Sequence, residues 1–97
     1  MTMMDKSILK RHGKFRITTQ LLRENPEAVQ KVFAKCIPVR AELMLQGYVE
    51  YNAFSQYFDE IGDECEAPLY AVEITTAYND NHKPFDYGIS FVRAKLG

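Results

Sequence analysis

The chain has 97 residues, enough for one domain but not for two, because independent domains commonly hold about 100–150 residues. Its 46% apolar and 26% charged residues match globular averages and exclude disordered, collagen-like and coiled-coil chains. A net charge of −1 by itself excludes a uniformly charged surface made for nucleic acid or an acidic membrane. That sum, however, conceals an uneven distribution.

The two parts of the chain carry opposite charge. Residues 1–40 contain nine Lys or Arg and three acids, a net +6, and residues 41–97 contain three Lys or Arg and ten acids, a net −7. Between Arg40 and Lys83 there is no basic residue, so sequence neighbours cannot neutralise the acids there. The sequence therefore predicts a dipolar domain whose acidic half is the better candidate for contact with a partner.

The first helical signals precede residue 25. Residues 1–13 are weakly patterned and compatible with a helix, and they lack the apolar core of a secretory signal. Thr18 or Thr19 is suited to cap a short helix through Leu21 and Leu22, because a threonine hydroxyl accepts hydrogen bonds from free helical N–H groups.

A longer helix is predicted over residues 26–36. Asn25 can accept a hydrogen bond from the first turn, Pro26 suits the first helical position, and apolar residues then recur every three or four positions. Pro38 cannot continue the helix and ends it.

From Val39 onward the apolar period falls to two. Residues 39–45 and 49–53 alternate as strands do, with a connection at Gln46-Gly47, although residues 40–46 are also compatible with a helix. Residues 69–77 and 85–93 are rich in aromatic and β-branched residues and flank a turn-forming segment, which predicts an antiparallel hairpin.

These elements predict one α+β domain over residues 1–97, with residues 1–38 basic and mainly helical and residues 39–97 acidic and mainly strand. The expected architecture is an antiparallel sheet of three or four strands with two or three helices packed on one face.

No run approaches the roughly 18 apolar residues of a membrane span. Cys36 and Cys65 lack the spacing of a zinc or redox pair, so two free thiols in a cytosolic protein are expected, with a single disulfide left open.

The acidic loop of residues 59–66 has five carboxylates in eight residues. Charge runs usually face water without further function, but like charges repel by roughly 1 kcal/mol at 4 Å even in water. Because Glu50 and Glu73 lie on the strands that flank the loop, a positively charged partner would relieve the repulsion. The predicted acidic surface consists of Glu50, Asp59, Glu60, Asp63, Glu64, Glu66 and Glu73.

All six tyrosines also lie in the acidic half. Tyr51 and Tyr87 are expected in the sheet core with their hydroxyls at the surface. Tyr48 and Tyr57 are candidate anchors for a partner, because tyrosine is enriched among residues that dominate binding energy.

The basic segment supports an alternative function, direct binding of nucleic acid. Its cations, which could neutralise phosphates, are Lys6, Lys10, Arg11, Lys14 and Arg16. The competing interpretation is ordinary surface charge, and Phe15 is the only aromatic residue that interrupts the run.

Signatures of an enzyme, a cofactor or a metal site are poor. The glycines form neither a dinucleotide fingerprint nor a phosphate loop, and no serine lies in a nucleophile elbow. Turn chemistry explains Asp80, His82 and Asp86 better than metal ligation does. Glu60 and Glu64 in an exposed loop have no desolvation to separate their pKa values for acid–base work. We therefore predict no catalysis, no cofactor and no metal.

In its length, its acidic region from Glu50 to Glu73 and the Tyr-rich strands that follow, the chain resembles the small anti-CRISPR proteins of phages, in particular a type I-F inhibitor that mimics DNA. The resemblance implies binding to the crRNA-guided surveillance complex in the bacterial cytoplasm and a block of target DNA loading. The acids of residues 59–66, extended by Glu50 and Glu73, would then stand in for phosphates. Unlike many DNA mimics, this chain is not acidic throughout.

Overall fold

The computed structural model describes residues 6–62 and 66–94. A short 3₁₀ helix at Lys6–Lys10 leads into a sheet and two α-helices. The helices are α1 (Thr19–Glu24) and α2 (Pro26–Phe33). The strands are β1 (His12–Thr18), β2 (Ile37–Met44), β3 (Tyr48–Phe54), β4 (Leu69–Tyr78) and β5 (Pro84–Arg93).

The five strands form one mixed sheet in the order β2-β3-β1-β4-β5. Neighbouring strands are antiparallel except β1 and β4, which run parallel and pair at Lys14 with Leu69 and at Phe15 with Tyr70. The predicted α+β fold, with an antiparallel sheet of three or four strands and two or three packed helices, is therefore wrong. The protein is mostly β, and its two α-helices are short.

The error arises from β1, the central strand. Gly13, Phe15 and Ile17 are buried and alternate with less buried residues, as in a strand with one face on the core. The basic residues Lys14 and Arg16 fill the alternate positions, so the segment looked like a basic arm. Because β1 precedes both hairpins and lies between them, it pairs with a strand from each, and one of these pairs is parallel.

Local capping chemistry determines where both helices begin. The Leu21 N–H donates to the Thr18 hydroxyl at 3.1 Å, and the Ala28 N–H donates to the Asn25 side chain at 3.3 Å. Pro26 opens α2, as predicted, but α2 ends at Phe33 rather than at residue 36. Both predicted helix starts are confirmed.

Both predicted hairpins are confirmed. Gly47 adopts a φ of +93° in the turn between β2 and β3, a conformation that favours glycine. In the turn between β4 and β5, the Asn79 side chain accepts hydrogen bonds from the N–H groups of Asn81 and Lys83. Pro38, predicted to end the helix, lies in β2 beside an irregularity in its pairing with β3.

The hydrophobic core surrounds β1. Phe15 is fully buried and contacts Tyr51 and Phe91, with ring centroids 5.3 and 5.4 Å apart. Buried residues from α2, β3, β4 and the loop after β3 complete the cluster, which comprises Phe15, Ile17, Val29, Val32, Ala53, Phe58 and Tyr70, and the half-buried Leu21 and Leu22 of α1 pack against it. Burial of each large side chain contributes about 1.5–3 kcal/mol to stability. In the described residues, no helix is long and apolar enough to span a membrane.

Candidate interaction surface

The acidic residues proposed as a binding surface come from two strands and the connection between them. Glu50 lies on β3 and Glu73 on β4, while Asp59, Glu60 and Glu66 lie in the connection between these strands. Asp63 and Glu64 lie outside the described residues.

Glu50 forms an ion pair within the protein. Its Oε1 lies 3.1 Å from the Nε of Arg16 on β1, and its side chain is only 17% exposed. The two residues are directly opposite in the β1–β3 register, so this pair links the basic and acidic halves of the chain. Glu50 also lies opposite Glu42 of β2, a like-charged pair across neighbouring strands.

Asp59 is exposed but also has a cationic neighbour. Its Oδ2 lies 3.3 Å from Nη1 of Arg93, and both side chains are more than half exposed. Its backbone N–H donates to the Tyr70 hydroxyl at 2.8 Å. Two residues later, the Ile61 N–H donates to the Lys10 carbonyl at 2.9 Å. The loop from Asp59 to Ile61 is therefore held against β4 and the N-terminal helix.

Glu60, Glu66 and Glu73 are exposed and have no salt bridge within the described part of the chain. Glu66 lines a shallow cleft that also contains Lys14 and Arg16. The register places Glu73 on the same sheet face as Lys14, because alternate residues of a strand share a face. Of the proposed surface acids that the structure describes, these three glutamates are therefore available to a partner.

Basic and acidic residues from the two halves of the chain lie side by side in the sheet. Strand β1 carries Lys14 and Arg16 into the middle of the sheet, between acidic strands β3 and β4. A second ion pair, between Lys31 and Asp86 at 3.4 Å, also joins the two halves. The order of the strands thus places basic residues of the first half next to acidic residues of the second half. Counting charges along the chain does not reveal this order.

Two tyrosines were predicted to anchor a partner, and each faces a cation. The guanidinium of Arg16 lies 4.8 Å from the Tyr48 ring centroid, and the ammonium of Lys35 lies 5.0 Å from the Tyr57 ring centroid. Tyr57 is 50% exposed and lines a cleft of about 480 Å³, so it remains available for contact. Tyr51, predicted in the core, is half-buried against Phe15, and Tyr87 is also half-buried.

The basic segment is partly used inside the molecule. Arg11 donates from Nη1 to the Phe58 carbonyl at 2.7 Å, which ties the segment to the loop after β3. Arg16 pairs with Glu50 and stacks on Tyr48. Lys10 is exposed and Lys14 is half-buried, whereas nothing is described of the Lys6 side chain.

Burial shifts the pKa values of two further side chains, Cys36 and His12. Burial raises the pKa of the Cys36 thiol to about 11, which suppresses its thiolate at neutral pH, and Cys65 lies outside the described residues. Burial, and secondarily the charge of Lys14, lowers the pKa of His12. Within residues 6–62 and 66–94, no three His, Cys, Asp or Glu side chains gather as metal ligands.

Of the three residues that turn chemistry was expected to explain, Asp80 and His82 lie in the β4–β5 turn, whereas Asp86 lies outside it. His82 has a φ of +59° there and is exposed. Asp86 lies on β5, where the Tyr87 N–H donates to its carboxylate and Lys31 is paired with it. The hydrogen bond from Tyr87, and then the hydrogen bond and charge of Lys31, lower the pKa of Asp86.

Sequence reasoning missed that β2 is an outermost strand of the sheet formed by the described residues. Every residue of this strand except Met44 is exposed, including Val39 and Leu43. The signal was present, since apolar and charged residues alternate there, but alternation does not reveal that a strand is terminal in its sheet.

Comparisons with protein-family models, with curated proteins and with solved structures find no match to this chain.

Proposed function

We propose that the protein is a non-enzymatic anti-CRISPR inhibitor that acts in the cytoplasm of a host bacterium. It binds the crRNA-guided type I-F surveillance complex and blocks target DNA by placing exposed carboxylates in the basic groove that receives the duplex. The observation that carries the proposal is the exposed acidic loop at Asp59 and Glu60. The backbone N–H groups of Asp59 and Ile61, on either side of Glu60, are hydrogen-bonded to other parts of the protein.

The anchoring of this loop supports a binding role. The Asp59 N–H is bonded to the Tyr70 hydroxyl, and the Ile61 N–H is bonded to the Lys10 carbonyl. A carboxylate on an anchored backbone loses less conformational entropy on binding than one on a free loop. Glu60, between these two anchored positions, therefore presents its negative charge to a basic groove at a lower entropic cost.

The alternative, a nucleic-acid-binding regulator that uses the basic N-terminal segment, has weaker support. Arg11 donates to the Phe58 carbonyl, and Arg16 is shared between Glu50 and Tyr48. A phosphate that approached Arg16 would compete with the nearby carboxylate of Glu50. The two functions also predict opposite behaviour of the isolated protein towards DNA.

Gel mobility shift of a target duplex tests the proposal. The surveillance complex should retard the duplex, the protein should abolish that shift, and the protein alone should leave the duplex unshifted. A variant with Glu60→Lys, Glu66→Lys and Glu73→Lys should lose inhibition. The matched control, Glu27→Lys, reverses an exposed acid on α2 that is outside the proposed surface and should inhibit normally.

Two results would reject the proposal. One is full inhibition by the triple variant when its circular dichroism matches that of the wild type. The other is retardation of DNA by the protein alone with a steep dependence on salt, which would support the nucleic-acid-binding alternative.

A further inference from the structure

Strand β2 is an unprotected edge of the sheet. It pairs with β3 on one side, and in the part of the chain that the structure describes no strand pairs with its other side. Val39 is 55% exposed and Leu43 is 71% exposed. A free edge with exposed apolar side chains is a template for another strand.

We infer that this edge binds the same edge of a second copy. The two β2 strands pair antiparallel about a twofold axis at Ala41, which joins the sheets of the two copies. This register places Arg40 of each copy opposite Glu42 of the other and Val39 opposite Leu43. Each copy contributes residues 39–43, and the pairing ends at Val39, where the β2–β3 register shifts between Pro38 and Arg40; Pro38 has no N–H to donate.

Charge complementarity identifies this register and this partner. Arg40 and Glu42 lie on the same face of β2, opposite Asn52 and Glu50 of β3. A twofold axis at residue 40 would place arginine against arginine, and an axis at residue 42 would place glutamate against glutamate. The axis at Ala41 pairs each charge with its opposite, twice in every dimer.

The like-charged pair within each copy gives an independent reason. Glu42 faces Glu50 across the β2–β3 pair, and Arg16 contacts Glu50 from the far side. Glu42 and Arg40 form no salt bridge within the described residues. In the dimer, Arg40 of the second copy lies beside Glu42, while Arg16 lies beside Glu50. Each of the two like-charged carboxylates then has a cation as a neighbour.

The apolar residues favour the same arrangement. Leu43 lies on the face of the sheet that carries Tyr51, because it is opposite Val49 in the β2–β3 register. Beside it, Val39 and Ala41 line a shallow apolar groove with Phe33. When two edges pair about Ala41, Leu43 of each copy covers Val39 of the other and removes apolar surface from water.

Charge reversal with sedimentation equilibrium tests the inference. The wild type should show a reversible monomer–dimer equilibrium. Arg40→Glu alone and Glu42→Arg alone should each raise the dissociation constant roughly tenfold or more, because attractive pairs become repulsive. An equimolar mixture of the two variants should dimerise again, since the mixed dimer restores both opposite-charge pairs.

The controls make a negative result decisive. Arg23→Glu reverses an exposed arginine on α1, away from the edge, and should dimerise like the wild type. Thermal melts of each variant establish that the monomer remains folded. A wild type that stays monomeric at the highest soluble concentration would overturn the inference. So would folded single variants whose mixture dimerises no better than either variant alone.

Discussion

Tyr70 stacks on Phe58 with their ring centroids 4.5 Å apart, and the two rings close over Gly13 of the central strand. A Cβ on Gly13 would lie 2.8 Å from atoms of both rings, closer than side chains tolerate. The stack also positions the Tyr70 hydroxyl, which accepts the Asp59 N–H. Gly13 thus links the packing of β1 to the placement of the acidic loop.

Gly13→Ala should destabilise the protein by about 1–3 kcal/mol, because the added methyl group forces two core rings apart. Urea denaturation followed by circular dichroism measures the loss. The matched control is Gly88→Ala on β5, where the nearest atom to a new Cβ lies 3.8 Å away. Equal stability of the Gly13 and Gly88 variants would contradict the packing described around β1.

Ser55→Ala should cost about 1–3 kcal/mol, although it removes a single oxygen. The Ser55 hydroxyl is buried, donates to the Lys35 carbonyl at 2.7 Å and accepts from the Tyr57 N–H at 3.2 Å. Its removal leaves two backbone groups without that partner. Chemical denaturation provides the measurement, and Ser90→Ala at an exposed position of β5 should change stability by less than about 0.5 kcal/mol. Similar losses in both variants would show that the hydroxyl has no bridging role.

Arg16→Glu should lower the melting temperature more at low salt than at high salt. The introduced carboxylate would lie beside Glu50, which already faces Glu42, and each like-charged cross-strand pair costs up to about 1 kcal/mol. The Debye length falls from about 10 Å at 0.1 M salt to about 3 Å at 1 M salt. High salt therefore weakens this repulsion.

Differential scanning calorimetry at the two salt concentrations measures the effect. Arg16→Gln, which removes the ion pair without adding a carboxylate, serves as the control and should show a smaller loss with a smaller salt dependence. A deficit in Arg16→Glu that does not shrink at high salt would indicate lost packing on Tyr48 instead of charge repulsion.

Short-range chemistry explains which elements the sequence predicts well. Thr18 and Asn25 mark helix starts because each side chain bonds an N–H three residues later. The β4–β5 turn is equally local, since the Asn79 side chain bonds within four residues. The central strand is different, because the residues that pair with Phe15 in the sheet, Tyr51 and Tyr70, are far from it along the chain.

The candidate site also combines local and long-range information. The positions of the acids along the chain can be read from the sequence, but the cations that pair with them inside the protein cannot. Arg16 and Glu50 are 34 residues apart and meet only because β1 and β3 are neighbours in the sheet. Strand order therefore decides which carboxylates remain free, and local sequence patterns do not encode strand order.

The Cys36 thiol should titrate well above its ordinary range in the folded protein. Burial disfavours the thiolate and raises the pKa of Cys36 from 9.0 to about 11. Because the folded-state pKa is the higher one, the stabilisation from the neutral thiol is complete below about pH 9 and is lost as the pH rises through about 11.

At about pH 8, folded Cys36 should hold about a hundredfold less thiolate than an unperturbed cysteine, so disulfide reagents should modify it slowly. A Cys65→Ser background isolates Cys36, and thiolate absorbance against pH gives its pKa. Subtracting the titration of the Cys36→Ala, Cys65→Ser double variant removes the tyrosine signal. In urea the midpoint should fall to about 9, as for an exposed thiol. A native midpoint that is equally low would mean that Cys36 is not desolvated against α2, where its Sγ lies 3.6 Å from the Val32 carbonyl.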